Sequence, residues 1–401
     1  MANNNTYDHG THDLRAQEHW DIFCAVVDNY GDIGVTWRLA KQLAHEYQIA
    51  VNLWVDDLNS FSHILPELNP RQAIQRFDNV SIKLWDKPLS LEYQPGSVLI
   101  EAFACELPVE VIDRITHYHG SAELAAPLWL NLEYLSAEDW VDGCHALPSL
   151  QASGLKKYFY FPGFNEKTGG LICERDLFAK RTDWQSDPSN RDRLFQRLGL
   201  KGIDAADTVI SIFSYETKTL DSLCQLWHSS STKVHALVPM GRSLNSLTGV
   251  IAQPEQVCPG QQFTYGNLTI HILPMTDQQG FDRLLWSCDF NIVRGEDSFL
   301  RAQWAAKPFI WHIYPQEDDY HLIKLRAFMA LYCHNLAPEI ADSWQALNLA
   351  FNEAGENDVQ THWQNLELAN LPLMHHAQKW PIDALNDTDL ASRLVQFVKN
   401  S

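Results

Sequence analysis

Ile22-Phe23-Cys24-Ala25-Val26-Val27-Asp28-Asn29-Tyr30-Gly31-Asp32-Ile33-Gly34-Val35 is the stretch that decides the fold. An apolar run of strand length, Ile22 to Val27, leads through a short loop into a segment of helical period from about Val35 to Tyr47. That order is the opening of a parallel α/β unit. Working outward, further strand-length runs follow at Val51 to Val55, Val80 to Leu84, Val98 to Glu101 and Leu128 to Leu132. A second set lies at Thr208 to Ser214, Val234 to Val238, Leu268 to Leu273, Phe290 to Val293 and Pro308 to His312. Helical periods near Thr217 to His228, Phe281 to Ser287 and Phe299 to Ala305 alternate with this second set. The polar stretch Glu174 to Arg193 lacks strand character and is the boundary between the sets, and the chain from His321 onward reads as mostly helical. The expected fold class is therefore α/β, with two Rossmann-like doubly wound domains facing each other across a cleft. Parallel sheets bind ligands beyond the carboxyl ends of their strands, so the loops after Val27, Ser214, Leu273 and Val293 are where chemistry is expected.

The loop after the first strand carries Asp28 and Asp32 together with two glycines three apart, Gly31 and Gly34. This is not the three-glycine dinucleotide pattern, and its two carboxylates repel a phosphate and favour a cationic or hydroxyl-bearing substrate. Each carboxylate has two readings. Asp32 is either a helix N-cap or a base, and Asp28 either stabilises the turn or orients a substrate. The loop Arg294-Gly295-Glu296-Asp297-Ser298 again joins a strand to a helix. Arg294, the glycine and the helix N-terminus suit a diphosphate. The alternative makes Asp297 or Ser298 the N-cap and Arg294–Glu296 a local ion pair. Tyr215 ends another strand and can donate to a phosphate oxygen, while Phe213 alternates as a core residue and ranks below it. Gln278, ahead of the helix from Phe281, has an amide suited to a base edge or to solvent.

Composition narrows the class. The 401 residues carry 30 basic against 50 acidic side chains, a formal net charge of -20, which argues against a non-specific nucleic-acid binder. No apolar run approaches the roughly 20 residues that span a membrane, and the polar start from Met1 to Asp21 does not read as a secretory signal, so a cytoplasmic protein is expected. The eight cysteines form no CxxC pair, and no HExxH occurs, so no metal site is expected. Asp56-Asp57 and Asp318-Asp319 are read as loop or cap residues.

Several long motifs resemble those of the protein-arginine rhamnosyltransferases that modify translation elongation factor P. They are Phe23 to Ala40, Asn131 to Glu138, Tyr158 to Phe164, Phe281 to Trp286, Val293 to Trp304 and Trp311 to Gln316. The likeness runs in order from about Trp20 to Tyr332. It implies a GT-B glycosyltransferase with an acceptor-binding domain over residues 1–180, a nucleotide-sugar domain over 190–375, and a terminal helix at about 380–401 returning to the first domain. It further implies an inverting, metal-independent transfer of rhamnose from TDP-β-L-rhamnose to an arginine of elongation factor P, activating that factor for relief of ribosome stalling. No cofactor beyond the donor substrate, no nucleic acid and no membrane enters this reading. On the likeness Asp32 is the general base, Asp28 its partner in holding the guanidinium, and Glu296 the essential carboxylate on the donor side. Tyr215, Gln278, Arg294, Asp297, Ser298 and, more weakly, Phe213 bind the nucleotide diphosphate. The alternatives are a GT-B transferase with another acceptor, a non-catalytic nucleotide-sugar-binding protein and, third, a nicotinamide oxidoreductase, which the incomplete glycine pattern disfavours.

Overall fold

The computed structural model describes residues 19–27, 30–86, 92–121, 125–353 and 358–401. Two sheets organise the chain. The first has eight strands in the order β3-β4-β2-β1-β5-β6-β8-β7. These are β1 (His19–Cys24), β2 (Ala50–Val55), β3 (Ile74–Phe77), β4 (Val80–Leu84), β5 (Val98–Ala102), β6 (Leu128–Leu132), β7 (Pro148–Leu150) and β8 (Lys156–Tyr160). The second has six, β11-β12-β10-β9-β13-β14: β9 (Thr208–Ile212), β10 (Val234–Pro239), β11 (Gln262–Tyr265), β12 (Leu268–Leu273), β13 (Phe290–Arg294) and β14 (Phe309–His312). Every interior pairing is parallel, and β3, β7 and β11 are antiparallel edge strands.

The central strand β1 is buried along its whole length because helices cover both faces of a parallel sheet. Its one carboxylate is fully satisfied: Asp21 accepts from Asn52 Nδ2, Trp54 Nε1, the Tyr93 hydroxyl and the Gly96 amide at 2.9–3.1 Å. The strand stops at Cys24 rather than Val27, because the next amides leave the ladder for side chains. Val26 N donates to Asp56 Oδ1 (2.8 Å) and Val27 N to Asp32 Oδ2 (3.2 Å). The following helix correspondingly starts early, spanning Gly31–Glu46.

The edge strands escape the sequence reading because each is three or four residues long and half-exposed. The β3–β4 turn shows how little apolar signal such a hairpin needs: Asp78 (φ 49°) and Asn79 (φ 63°) supply its left-handed pair. The expected linker is also revised. Residues 174–193 contain the helix Leu177–Ser186 and most of the helix Pro188–Arg197, the second capped by Asp187, which accepts from Ser189 N (3.0 Å). Both pack on the second half, where Trp184 Nε1 donates to Ser287 Oγ (3.0 Å) and Arg181 Nη1 to the Trp304 carbonyl (3.0 Å).

After β14 the chain is helical, and an aromatic cluster of Phe299, Phe309, Phe328, Tyr332, Trp344 and Trp380 binds these helices to the second sheet. The last helix, Leu390–Asn400, crosses back to the first half. Leu390 N donates to the Leu171 carbonyl (2.8 Å), Gln42 Nε2 donates to Asp389 Oδ1 (3.0 Å), and Phe397 packs edge-on to Tyr158 and Tyr160. Among the described residues no helix is long and apolar enough to cross a membrane.

Candidate active site

The carboxyl ends of β1, β9, β12 and β13 converge on an open cavity in the cleft between the halves. Its walls include Tyr30, Gly31, Gly34 and Ile64 from the first half, and Phe213, Gln278, Phe281, Arg294 and Ser298 from the second.

On the second-half wall, the Arg294 guanidinium lies over the faces of Phe213 and Tyr215, 4.6 and 4.8 Å from the ring centroids. Cation–π contact of this kind holds a planar guanidinium in one orientation. His312 lies edge-on to Tyr215, and burial, reinforced by the Arg294 charge, lowers its pKa to about 3, so it stays neutral. The Arg294 carbonyl accepts from Ser298 Oγ, and Gly295, with φ 59°, turns the chain into the helix Asp297–Trp304. Gly295, Asp297 and Ser298 line the cavity at the start of this helix, where the first amides have no acceptor within the helix itself. Gln278 is the first residue of the helix Gln278–Ser287, not an isolated loop residue, and Asp277 caps that helix by accepting from Gly280 N (2.7 Å). Gln278 Nε2 reaches across the cleft to the Gly34 carbonyl (2.8 Å), and its Oε1 is buried without a hydrogen-bond partner among the described residues.

Two expectations change here. Tyr215 is buried beneath Arg294, while Phe213 is the partly exposed residue that lines the cavity against Phe281, with ring centroids 5.6 Å apart. Strand β9 ends at Ile212, so the alternation that makes Phe213 a core residue has already lapsed. The local Arg294–Glu296 ion pair and the Asp297 or Ser298 cap are not formed either. Glu296 occupies the N-cap position without a side-chain cap bond. Its carboxylate instead crosses to the first half, where Oε2 accepts from Leu135 N (3.0 Å), while Lys324 Nζ, from the helical region after β14, lies 3.9 Å away.

Asp32 faces this group from the first half. It is buried in the first turn of its helix, where Tyr30 is the cap residue, so the N-cap reading of Asp32 does not hold. Oδ2 accepts from Val27 N, and the Tyr134 hydroxyl also bonds to Asp32. Burial, with the charges of Asp32 and Glu296, pushes the Tyr134 hydroxyl above its ordinary pKa, so it remains a donor. Burial likewise lifts Glu296 to about 7, with Asp32 and Asp297 adding to the rise and Lys324 and the Leu135 amide opposing it. Burial lowers Lys324, against the pull of Glu296 and Glu138. Asp28 lies outside the described residues.

Sequence reasoning gave no role to Tyr134, Lys324 or Arg38. Tyr134 and Arg38 lie inside motifs quoted for the resemblance, whereas Lys324, on the helix Tyr320–Tyr332, carries no local signal. Tyr134 stacks on Phe103 at 4.6 Å, and Phe103 and Ala104 both adopt left-handed backbone (φ 58° and 53°). Asn131 Oδ1 holds that turn by accepting from Ala104 N (3.1 Å). Among the described residues no group of three or more His, Cys, Asp or Glu side chains could hold a metal ion. Asp57 caps the short helix Leu58–Ser62.

The sequence profile of the elongation factor P rhamnosyltransferases, the EarP family, matches residues 20–399. The chain belongs to this family. A protein-arginine rhamnosyltransferase from Shewanella oneidensis is 68% identical over 387 residues, covering 96% of this chain and 98% of that relative. One from Pseudomonas aeruginosa is 44% identical over 379 residues, covering 94% and 98%. A solved structure described as the basis for EarP-mediated arginine glycosylation of elongation factor P superposes with a TM-score of 0.66 at 32% identity, covering 96% of this chain and all of that one. The EarP family thus accounts for the cleft: this is a glycosyltransferase of the GT-B fold.

Proposed function

We propose that this protein transfers L-rhamnose from TDP-β-L-rhamnose to an arginine side chain of translation elongation factor P, inverting the anomeric centre without a metal ion. The observation that carries the reading is the meeting of Asp32 and Glu296 across the cleft, beside a clamped arginine and an open helix N-terminus. Family membership and the arginine-modifying relatives support the acceptor. On this reading residues 1–180, with the helix at about 380–401, hold the acceptor, and residues 190–375 hold the nucleotide sugar in a cytoplasmic enzyme.

The chemical difficulty is the nucleophile. A guanidinium remains protonated below about pH 12, and its lone pairs are delocalised. Asp32 accepts a proton from the guanidinium nitrogen as that nitrogen bonds to the anomeric carbon and the carbon–oxygen bond to TDP breaks. Tyr134 and Val27 N fix the direction of the Asp32 carboxylate, and Asp28 shares in holding the guanidinium. Glu296 supplies the second carboxylate on the donor side. Arg294 and the amides at Asp297 and Ser298 receive the charge that develops on the leaving diphosphate, a role a divalent cation plays elsewhere. Phe213 and Gln278 flank the nucleobase, and the unpartnered Oε1 of Gln278 is turned to that use. Tyr215 supports Arg294 from below.

Intact-mass analysis of elongation factor P incubated with the protein, TDP-β-L-rhamnose and a chelator tests the reading. One added deoxyhexose on an arginine, with α linkage by NMR, is expected. No addition while TDP still binds contradicts the acceptor or sugar, and no TDP binding contradicts the donor assignment.

A further inference from the structure

Arg38 and Asp297, on the lining of the cavity, belong to a cluster of buried charges that joins the halves and whose side chains the reaction scheme does not use. Arg38, from the helix that carries Asp32, donates through Nε to Asp297 Oδ1 (2.7 Å), through Nη1 and Nη2 to Asp282 (3.2 and 3.1 Å), and through Nη1 to Glu174 Oε1 (3.5 Å). Arg301 grips two of these three acceptors, donating to Asp282 at 2.8 and 2.6 Å and to Glu174 at 2.7 Å. Both arginine side chains are only 2% exposed. Burial alone raises a carboxyl pKa, yet Arg301 and Arg38 hold Glu174 down to about 2, so that carboxylate stays ionised.

Its position gives it a consequence for the reaction. Asp297 directly follows Glu296, and Arg38 lies less than two helical turns after Asp32. The first turn of that helix presses on the same carboxylate, since a Cβ on Gly34 would lie 3.2 Å from Asp297 Cβ. Gln278 Nε2 adds its bond to the Gly34 carbonyl. Two of these contacts tie the helix bearing Asp32 to the loop bearing Glu296 and Arg294, and the third ties it to the helix Gln278–Ser287. A bidentate guanidinium fork fixes distance and angle together, which a lysine does not.

We propose that Arg38 is a positioning residue for glycosyl transfer: its fork between Asp297 and Asp282 sets the separation of Asp32 from Glu296 across the cleft. The inference rests on the transferase reading above. Side chains that hold reacting groups in register act mainly on the rate of the chemical step, and small misplacements cost on the order of 100-fold.

The test compares wild type with Arg38→Lys and Arg38→Met, using elongation factor P and TDP-β-L-rhamnose, and reads kcat, both KM values, TDP affinity by calorimetry and the far-UV spectrum. Both variants are expected to be folded, with kcat down about 100-fold in Arg38→Met and about 10-fold in Arg38→Lys, while KM for elongation factor P stays within twofold. Wild-type kcat in both variants overturns the proposal. So does failure of both to fold, which makes the cluster a stability element only. If wild type itself transfers no rhamnose, the transferase reading fails first, and TDP binding by the same samples reports that separately.

Discussion

Arg294, on the second-half wall of the cleft, is 4% exposed and held between two aromatic faces, whereas Tyr134 and Val27, on the first-half wall, are 41% and 73% exposed. The second-half wall is built on the strand–loop–helix unit that carries Arg294, with the end of β9 supplying Phe213 and Tyr215 and the helix after β12 supplying Gln278 and Phe281. The first-half wall is assembled from the loop after β1, the turn after β5 and the segment after β6. A preformed wall suits a small ligand that brings the same groups each time. An open wall suits a macromolecule that covers the remaining apolar surface itself. On the proposed reading, the contrast teaches that the preformed groups for the donor lie mainly in the second half, while the acceptor side is completed by its partner.

The largest expected effect is on the open wall. Asp32→Asn keeps the size of the side chain but removes the base, and single-turnover transfer is expected to fall about 1,000-fold with TDP affinity unchanged within threefold. Equal loss of both would merge the two walls into one unit. On the preformed wall, Arg294→Lys keeps the charge and loses the fork, so calorimetry is expected to show TDP binding weakened about 10- to 100-fold, with far-UV signal retained.

Glu296 joins the walls, and its pH behaviour sharpens the comparison. With a pKa raised to about 7, it is largely protonated in the free enzyme at pH 6. If the carboxylate is the working form, kcat/KM rises about tenfold per pH unit below 7 and levels off above it, and Glu296→Gln removes that limb. The sign for stability is the reverse. The unfolded chain releases this proton at its ordinary, lower pKa, so this group's contribution falls as pH rises from about 4.5 to about 7, measurable as the denaturation midpoint of wild type against Glu296→Gln. The smallest effect is expected from Tyr134→Phe. Removing one hydroxyl donor from Asp32 should lower kcat about 5- to 10-fold while leaving TDP affinity untouched.

The same division governs what the sequence made legible. Asp32, Arg294 and Glu296 could be singled out because each lies where a recognisable strand passes into a helix, a local pattern with a period. The burial of Tyr215 and the partial exposure of Phe213 were not legible because they depend on where β9 ends, a boundary that alternation does not mark. Lys324 and the Arg38 cluster depend on contacts between residues far apart in the chain, such as Arg38 with Asp297 and Lys324 with Glu296. No periodicity encodes such a contact. Edge strands such as β7 and β11 were missed for a different reason: half-exposed and short, they offer too few apolar positions to show an alternation.

The most direct test of the division between the walls is calorimetric titration of TDP into the free protein, into Asp32→Asn and into Arg294→Lys, without elongation factor P present. The account predicts matching affinity for the first two and weaker binding for the third. Binding that appears only when elongation factor P is added, or that is lost in Asp32→Asn, would contradict it.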